Sequence, residues 1–348
     1  MSTVLPSRSR RRRRRAIAPC LLALVLALST AGPAWARSGW QRRIDRLVGQ
    51  GSIGVAVVEE GSVLYRHREA RRRTPASNEK LLLSMAILHA LGPDARLPTQ
   101  AAGPPASAGV VPGDLWILGQ GDPDLGRGRI EHLAVAIQEA GVIRVEGSVM
   151  GSTGYFKRDW RAPGWKRDFP RTQVPLPTAL TYEGNTEHGV HIRDPEIRAA
   201  KALTEELERR GVRVAGRPGS GPAPPGLAPI AEVRSEPLIE LLDYMNRYSS
   251  NFFAEVLGKR LGAERGGLPG SIAKGAAAIR SWARSLGARL RARDGSGLSY
   301  SNRVSPAAIV RLLGRAEDEV WGEALREALP EPGQVTLHGR MRKVPVHA

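Results

Sequence analysis

TPASNEKLLLSMAILHALG, residues 74–92, places Ser77 and Lys80 three positions apart at the head of a run that is apolar almost all round. Leu81, Leu82, Leu83, Met85, Ile87 and Leu88 leave no polar face, so the spacing predicts a central, buried helix from Ser77 to Leu91 that stops at Gly92-Pro93. A lysine is costly to bury unless it is paired or used. At spacing i, i+3 both side chains share one helix face. A buried lysine loses its proton more easily, and a neutral Lys80 could take the hydroxyl proton of Ser77. The plainer reading is a helix cap, since serine caps well. A capping box would ask for Glu or Gln at position 80, and this chain has Lys80.

The spacing alone does not decide. A second Ser-x-x-Lys, Ser271 to Lys274 in GSIAKG, follows a Gly/Pro loop and opens an ordinary amphipathic helix. It reads as a cap with a solvated lysine. Ser249-x-Asn251 in RYSSN falls at an irregular break around residues 248–250, between two helical stretches of EPLIELLDYMNRYSSNFFAEVLGKRLG. There a second hydroxyl could relay a proton and a carboxamide could hold a substrate backbone. Alternatively, Ser249 or Ser250 caps the second helix.

Outward from these motifs the chain divides by composition. GSIGVAVVEEGSVLYRHREA, residues 51–70, is two β-rich runs around Glu60-Gly61, a hairpin signal. From 98 to 228 the chain alternates strand-like LWILGQG and IRVEGSVM with helical IEHLAVAIQEAGV and IRAAKALTEELERRG. It leaves through RVAGRPGSGPAPPGLAP, read as a flexible Pro/Gly linker. This predicts an inserted α/β module. Beyond it the chain is helical again, with SIAKGAAAIRSWARSLG and PAAIVRLLGRA as helices around a DGSGLSYSNRVS loop.

Residues 1–36 read as a secretory signal. Arg8 and Arg10 to Arg15 form its basic part, followed by an apolar stretch and the small-x-small site Ala34-Trp35-Ala36. Removing these seven arginines from the net charge of +18 leaves +11, and the only cysteine, Cys20, goes with them. An exported chain without disulfide or thiol chemistry is the expectation, in the periplasm or cell envelope. Its basic residues are scattered and few of its residues are aromatic, which argues against nucleic acid and for an anionic envelope polymer. Peripheral contact with a membrane is left open.

Ser-x-x-Lys followed far downstream by Ser-x-Asn is the motif set of penicillin-binding proteins and serine β-lactamases. The ordered blocks TPASNEKLLLSMAILHALGPDARLPT, LWILGQGDPDL, RYSSNFFAEVLGKRLG and DGSGLSYSNRVSPAAIVRLL resemble the D-alanyl-D-alanine carboxypeptidase/endopeptidase family, the class C low-molecular-mass penicillin-binding proteins. The resemblance runs from about Gly51 to the last residue. It implies an α/β (α+β) serine penicillin-binding/β-lactamase-like transpeptidase fold. The catalytic domain would comprise residues 37–97 and 229–348, with 98–228 inserted. It also implies Ser77 as nucleophile, Lys80 as general base, Ser249 as proton relay and Asn251 as substrate-binding residue. The implied partners are peptidoglycan stem peptides, with β-lactams as covalent inhibitors and no cofactor.

The family's third motif, Lys-Thr-Gly, is not found. After LPEPGQVTLHGRM the sequence reads RKVPVHA and stops at Ala348; Lys343 is not followed by Thr-Gly. The expectation is a chain that lacks its last sheet strands, one oxyanion-hole amide and the lysine for the substrate carboxylate. Loss of one such amide typically costs about 100- to 1,000-fold, so a weakly active, partly stable protein follows. Two other readings stay open: a non-catalytic peptidoglycan-binding protein, and a serine β-lactamase or esterase of the same fold. His188-x-x-His191, read as lying in one strand with rings on opposite faces, does not suggest a metal site. Asp114, Asp122 and Asp124 lack calcium-loop spacing and read as a turn. No G-x-S-x-G elbow, P-loop or dinucleotide fingerprint is present.

Overall fold

A computed structural model of the chain describes residues 38–49 and 51–331. The expected signal segment, and the stretch in which the family pattern places the third motif and its strand, lie outside these residues. The described residues fall into two compact units, those up to Ser52 and those from Ile53 onward. In the first, helix α1 (Gly39–Val48) was not foreseen. Ser38 starts it with a capping box: its Oγ accepts from the Gln41 amide at 3.4 Å, and its own amide donates to Gln41 Oε1 at 2.8 Å.

The second unit opens with β1 (Val55–Glu59) and β2 (Ser62–His67), antiparallel across the Glu60-Gly61 turn. Both turn residues have positive φ, the geometry that matches the twist of a two-residue hairpin. A short 3₁₀ turn (Ala76–Asn78) then leads into α2 (Glu79–Leu91). The predicted helix is therefore divided: Ser77 belongs to the tighter turn and Lys80 to the α-helix proper. In a 3₁₀ turn, side chains at i and i+3 eclipse, so the pair stays on one face.

Helix α2 is the axis of one hydrophobic core. Leu82, Leu83, Met85, Ile87 and Leu88 are at most 1% exposed, and burial of each such side chain stabilises by about 2 kcal/mol. Around it pack α6 (Leu238–Arg247), α7 (Asn251–Gly266), α8 (Ile272–Ser285) and α9 (Pro306–Glu317), the labels α3–α5 belonging to helices of the intervening segment. Helices α7 and α8 cross backbone to backbone: a Cβ on Gly275 would run into the carbonyl of Gly258. The last helix, α10 (Gly322–Glu327), packs on the same core through Leu325. Ala307 N–H donates to Glu69 O at 3.0 Å, tying the start of α9 to the chain leaving the hairpin.

A second core fills the segment between. Its five-stranded sheet has the order β11-β7-β5-β3-β12, with β3 (Arg96–Gly103), β5 (Leu115–Gly119), β7 (Val149–Ser152), β11 (Gly219–Gly221) and β12 (Ala228–Pro237). β5, β7 and β11 are parallel, joined by crossovers through α3 (Arg127–Glu139) and α5 (Pro195–Arg209). β3 and β12, the strands by which the chain enters and leaves, pair antiparallel with each other. Ile117, Leu133, Ile137, Val149, Leu203 and Leu207 are all fully buried here. A smaller parallel sheet joins β4 (Val110–Val111), β6 (Arg144–Val145) and β10 (Arg213–Val214) in the order β10-β6-β4.

Two expectations change. IRVEGSVM is not one strand but β6 and β7, which belong to different sheets. The Pro/Gly stretch after α5 is no flexible linker: it contributes β10 and β11, paired with β6 and β7. Within the remaining segment, α4 (Phe169–Thr172) and the hairpin β8 (Thr186–Glu187)/β9 (Val190–His191) are short and local.

Candidate active site

Three pieces of chain converge on Ser77. The first is its own 3₁₀ turn, entered through Ala76 in the left-handed region at φ 50°. Such a conformation is strained for a residue with a Cβ. The turn leaves Ser77 exposed while Lys80, one turn on, is only 2% exposed. Lys80 Nζ donates to Ser77 Oγ at 3.4 Å.

The second piece is the break between α6 and α7. Ser249, with φ 52°, is a second left-handed residue, and its Oγ donates to Ser77 Oγ at 2.9 Å. The cap of α7 is its neighbour: Ser250 Oγ accepts from the Phe253 amide at 3.3 Å. Ser249 is thereby free of the capping role that the sequence left open. Asn251, the first residue of α7, accepts from Lys80 Nζ through Oδ1 at 2.9 Å and donates through Nδ2 to Gln173 O at 3.2 Å.

The third piece is the DGSG loop, residues 294–297. Ser296 O accepts from Lys80 Nζ at 2.9 Å, so all three ammonium donors of Lys80 are engaged. Gly297, at φ 85°, lies against the Ser77 turn; a Cβ there would run into the Ala76 carbonyl. The loop is braced by Asp294, a buried carboxylate. It accepts from the Gly297 and Ser299 amides at 3.1 and 2.7 Å, from Asn302 Nδ2 at 2.7 Å and from Trp165 Nε1 at 2.6 Å.

The last of those bonds comes from the segment around residues 160–175. Ser299 Oγ donates to Pro163 O at 2.5 Å, and Phe169 stacks on Tyr300 with ring centroids 6.4 Å apart. With Gln173 against Asn251, this segment forms a wall beside Ser77. Lys259, eight residues beyond Asn251 on α7, fastens the wall's base: its buried Nζ donates to Lys157 O at 2.7 Å and Pro177 O at 2.8 Å and pairs with Asp159 at 2.8 Å.

Burial pulls the Lys80 ammonium down to about pKa 8 from its ordinary 10.5, against the opposing pull of Glu255 and Asp294. An amine in that range can shed its proton near neutral pH. The exposed hydroxyl of Ser77 thus meets a buried amine and a second hydroxyl, and the site can activate a nucleophile and pass a proton onward.

The other sequence candidates are placed elsewhere. Ser271 caps α8, accepting from the Lys274 amide at 3.2 Å, and Lys274 Nζ donates to Gly267 O and Pro269 O at 2.6 and 2.9 Å. Asp122 Oδ1 accepts from the Asp124 amide at 2.9 Å and Oδ2 pairs with Arg129 at 2.7 Å; Asp114 accepts from the Ser148 amide at 2.8 Å. His188 and His191 do not share a strand as expected: His188, at φ 49°, sits in the turn before β9, while His191 in β9 lies 2.7 Å from Pro170 O. Among the described residues, no group of three or more His, Cys, Asp and Glu side chains gathers as metal ligands.

A family model, D-Ala-D-Ala carboxypeptidase 3 (S13), matches residues 42–189 and 176–347. The chain belongs to this S13 family. The D-alanyl-D-alanine carboxypeptidase of Actinomadura sp. (strain R39) is 27% identical, over 83% of this chain and 70% of that protein. Two other curated relatives are spanned over only 58% and 56% of their length. The fold is that of penicillin binding protein 4 (dacB) from Haemophilus influenzae. The TM-score is 0.72 and the identity 20%, covering 86% of this chain and 83% of that one. The same protein complexed with a β-lactam gives a TM-score of 0.65 at 21% identity, covering 86% and 82%. This α/β penicillin-binding fold is the fold class that the motif order implied.

Proposed function

We propose that this S13 family member is a serine-type D-Ala-D-Ala carboxypeptidase or endopeptidase acting on peptidoglycan stem peptides, exported to the periplasm or cell envelope. The observation that carries the reading is the exposed Ser77 hydroxyl held between Lys80 Nζ at 3.4 Å and Ser249 Oγ at 2.9 Å. Residues 37–97 and 229–348 would form the catalytic domain and 98–228 the inserted one. The basic, then apolar character of residues 1–36 supports export.

In this reading, neutral Lys80 takes the Ser77 proton as Oγ bonds to the carbonyl carbon of the scissile D-Ala-D-Ala amide. The C–N bond breaks as the proton now on Lys80 reaches the leaving amine through the Ser249 hydroxyl. The acyl group stays on Ser77 as an ester until water cleaves it. Asn251 would hold the substrate backbone with the Nδ2 that now donates to Gln173 O. The β-lactam held by the Haemophilus relative supports the expectation that such compounds acylate Ser77.

The test is release of D-alanine from a synthetic stem peptide ending in D-Ala-D-Ala, or cleavage of a cross-linked dimer, by the full chain. Activity that disappears in Ser77→Ala supports the proposal. Activity that persists in that variant, or binding of peptidoglycan with no turnover and no acyl-enzyme, would sink it in favour of a binding protein.

A further inference from the structure

Helix α7 carries Asn251, Glu255 and Lys259 four residues apart, a polar stripe on one face of an otherwise buried helix. Asn251 touches Lys80 directly and Lys259 fastens the neighbouring wall, as described above. Glu255, between them, is 1% exposed. Its Oε1 accepts from the Gly295 amide at 3.1 Å and the Ser296 amide at 2.8 Å. The carbonyl of that same Ser296 accepts from Lys80 Nζ. Lys80 is therefore held by α7 twice, once through Asn251 and once through Glu255 by way of the two peptide groups that flank the Ser296 Cα.

We propose that Glu255 is the positioning residue that sets where Lys80 sits and at what pH it gives up its proton. This rests on the reading of Lys80 as the base that activates Ser77. The charged groups facing the pair are Asp294, Glu79 and, along α7, Lys259. Asp294 already accepts four hydrogen bonds, three from the loop it braces and one from Trp165. Glu79 is fully buried with neither carboxylate oxygen hydrogen-bonded among the described residues. Burial first, then the charges of Asp294 and Glu255, push its pKa well up. Lys259 is committed to Asp159 and the carbonyls of the wall.

That leaves Glu255 and Asp294 to oppose the desolvation of Lys80, with Glu255 the larger of the two. Glu255 has its own pKa raised to about 8, by burial and then by Asp294, against the hydrogen bonds it accepts, so it and Lys80 titrate over the same range and its charge acts on Lys80 only where it is ionised. The sign follows. A charge at Glu255 favours ammonium on Lys80, so removing it makes Lys80 easier to deprotonate.

The experiment is a pH titration of the full chain bearing ¹³Cε-labelled lysine, followed by NMR, with the Lys80 signal assigned by its loss in Lys80→Met. Glu255→Gln keeps an oxygen for the two amides and removes the charge. The Lys80 midpoint is expected to fall by about one pH unit or more, and Glu255→Asp should bring it back towards the wild type. A midpoint that is unchanged or raised in a folded Glu255→Gln would overturn the proposal. Should that variant not fold, ¹³Cδ-labelled glutamate in the wild type decides. Glu255 and Lys80 must each show an inflection at the other's midpoint, as coupled sites do, and independent single-site curves would overturn it. Penicillin labelling that survives Ser77→Ala would instead remove the underlying reading and leave the titration result standing.

Discussion

The chain writes Ser-x-x-Lys twice, and the two copies fold into opposite arrangements. At Ser77 the serine is exposed and the lysine buried; at Ser271 the serine is buried and the lysine half-exposed. Lys80 Nζ reaches its own motif's hydroxyl, with the Ser249 hydroxyl on the other side. In the second copy Ser271 Oγ is taken up by the Lys274 amide, and Lys274 Nζ turns back to two loop carbonyls. Spacing brings a serine and a lysine to one face in both places. Chemistry needs more: a 3₁₀ turn that lifts the hydroxyl into solvent, and a core that strips water from the amine.

The largest test of that contrast is removal of each serine. Ser77→Ala should abolish labelling by a fluorescent penicillin. Ser271→Ala should label at the wild-type rate and lose about 1 kcal/mol of stability with its cap, read as a small fall in Tm. Next come the lysines. Lys80→Met should slow labelling by about 100-fold or more, the usual loss on removing a general base, while Lys274→Met leaves the rate unchanged.

A smaller effect follows from the depressed pKa of Lys80. The neutral amine is the reactive form, so the labelling rate should climb with pH, level off above about 8 and be roughly tenfold lower at pH 7 than on the plateau. A rate that falls through this window would remove Lys80 from the role of base. The smallest expected change in rate separates two tight glycine contacts. Gly297→Ala pushes on the Ala76 carbonyl behind Ser77 and should lower both labelling and stability. Gly275→Ala pushes α8 from α7 and should cost about 1–3 kcal/mol while folded molecules label normally.

How much of this was legible in the sequence depends on the range of the interactions. The buried helix after Ser77, the hairpin at Glu60-Gly61 and the break at 248–250 announce themselves within a few residues, through periodicity and turn chemistry. The strands after α5 do not. Their Gly- and Pro-rich sequence reads as loop, and they form only because β6 and β7 lie alongside them. α1 was legible though unforeseen: Trp40, Ile44, Leu47 and Val48 recur at helical spacing behind the cap Ser38. In the site, Ser77, Lys80, Ser249 and Asn251 could be picked out by spacing and by resemblance. Ser296 could not: it meets Lys80 through a backbone carbonyl 216 residues away, where side-chain identity carries no signal. Glu255 left a faint trace, a carboxylate four residues beyond Asn251 in an apolar helix.

The central claim is that the first Ser-x-x-Lys, not the second, is a nucleophile with its base. It is tested most directly by treating the full chain with penicillin, digesting it and locating the adduct by mass spectrometry. The account predicts one acyl group, on the peptide containing Ser77, with the peptide containing Ser271 unmodified. An adduct on any other residue, or no adduct at all on folded protein, would contradict it.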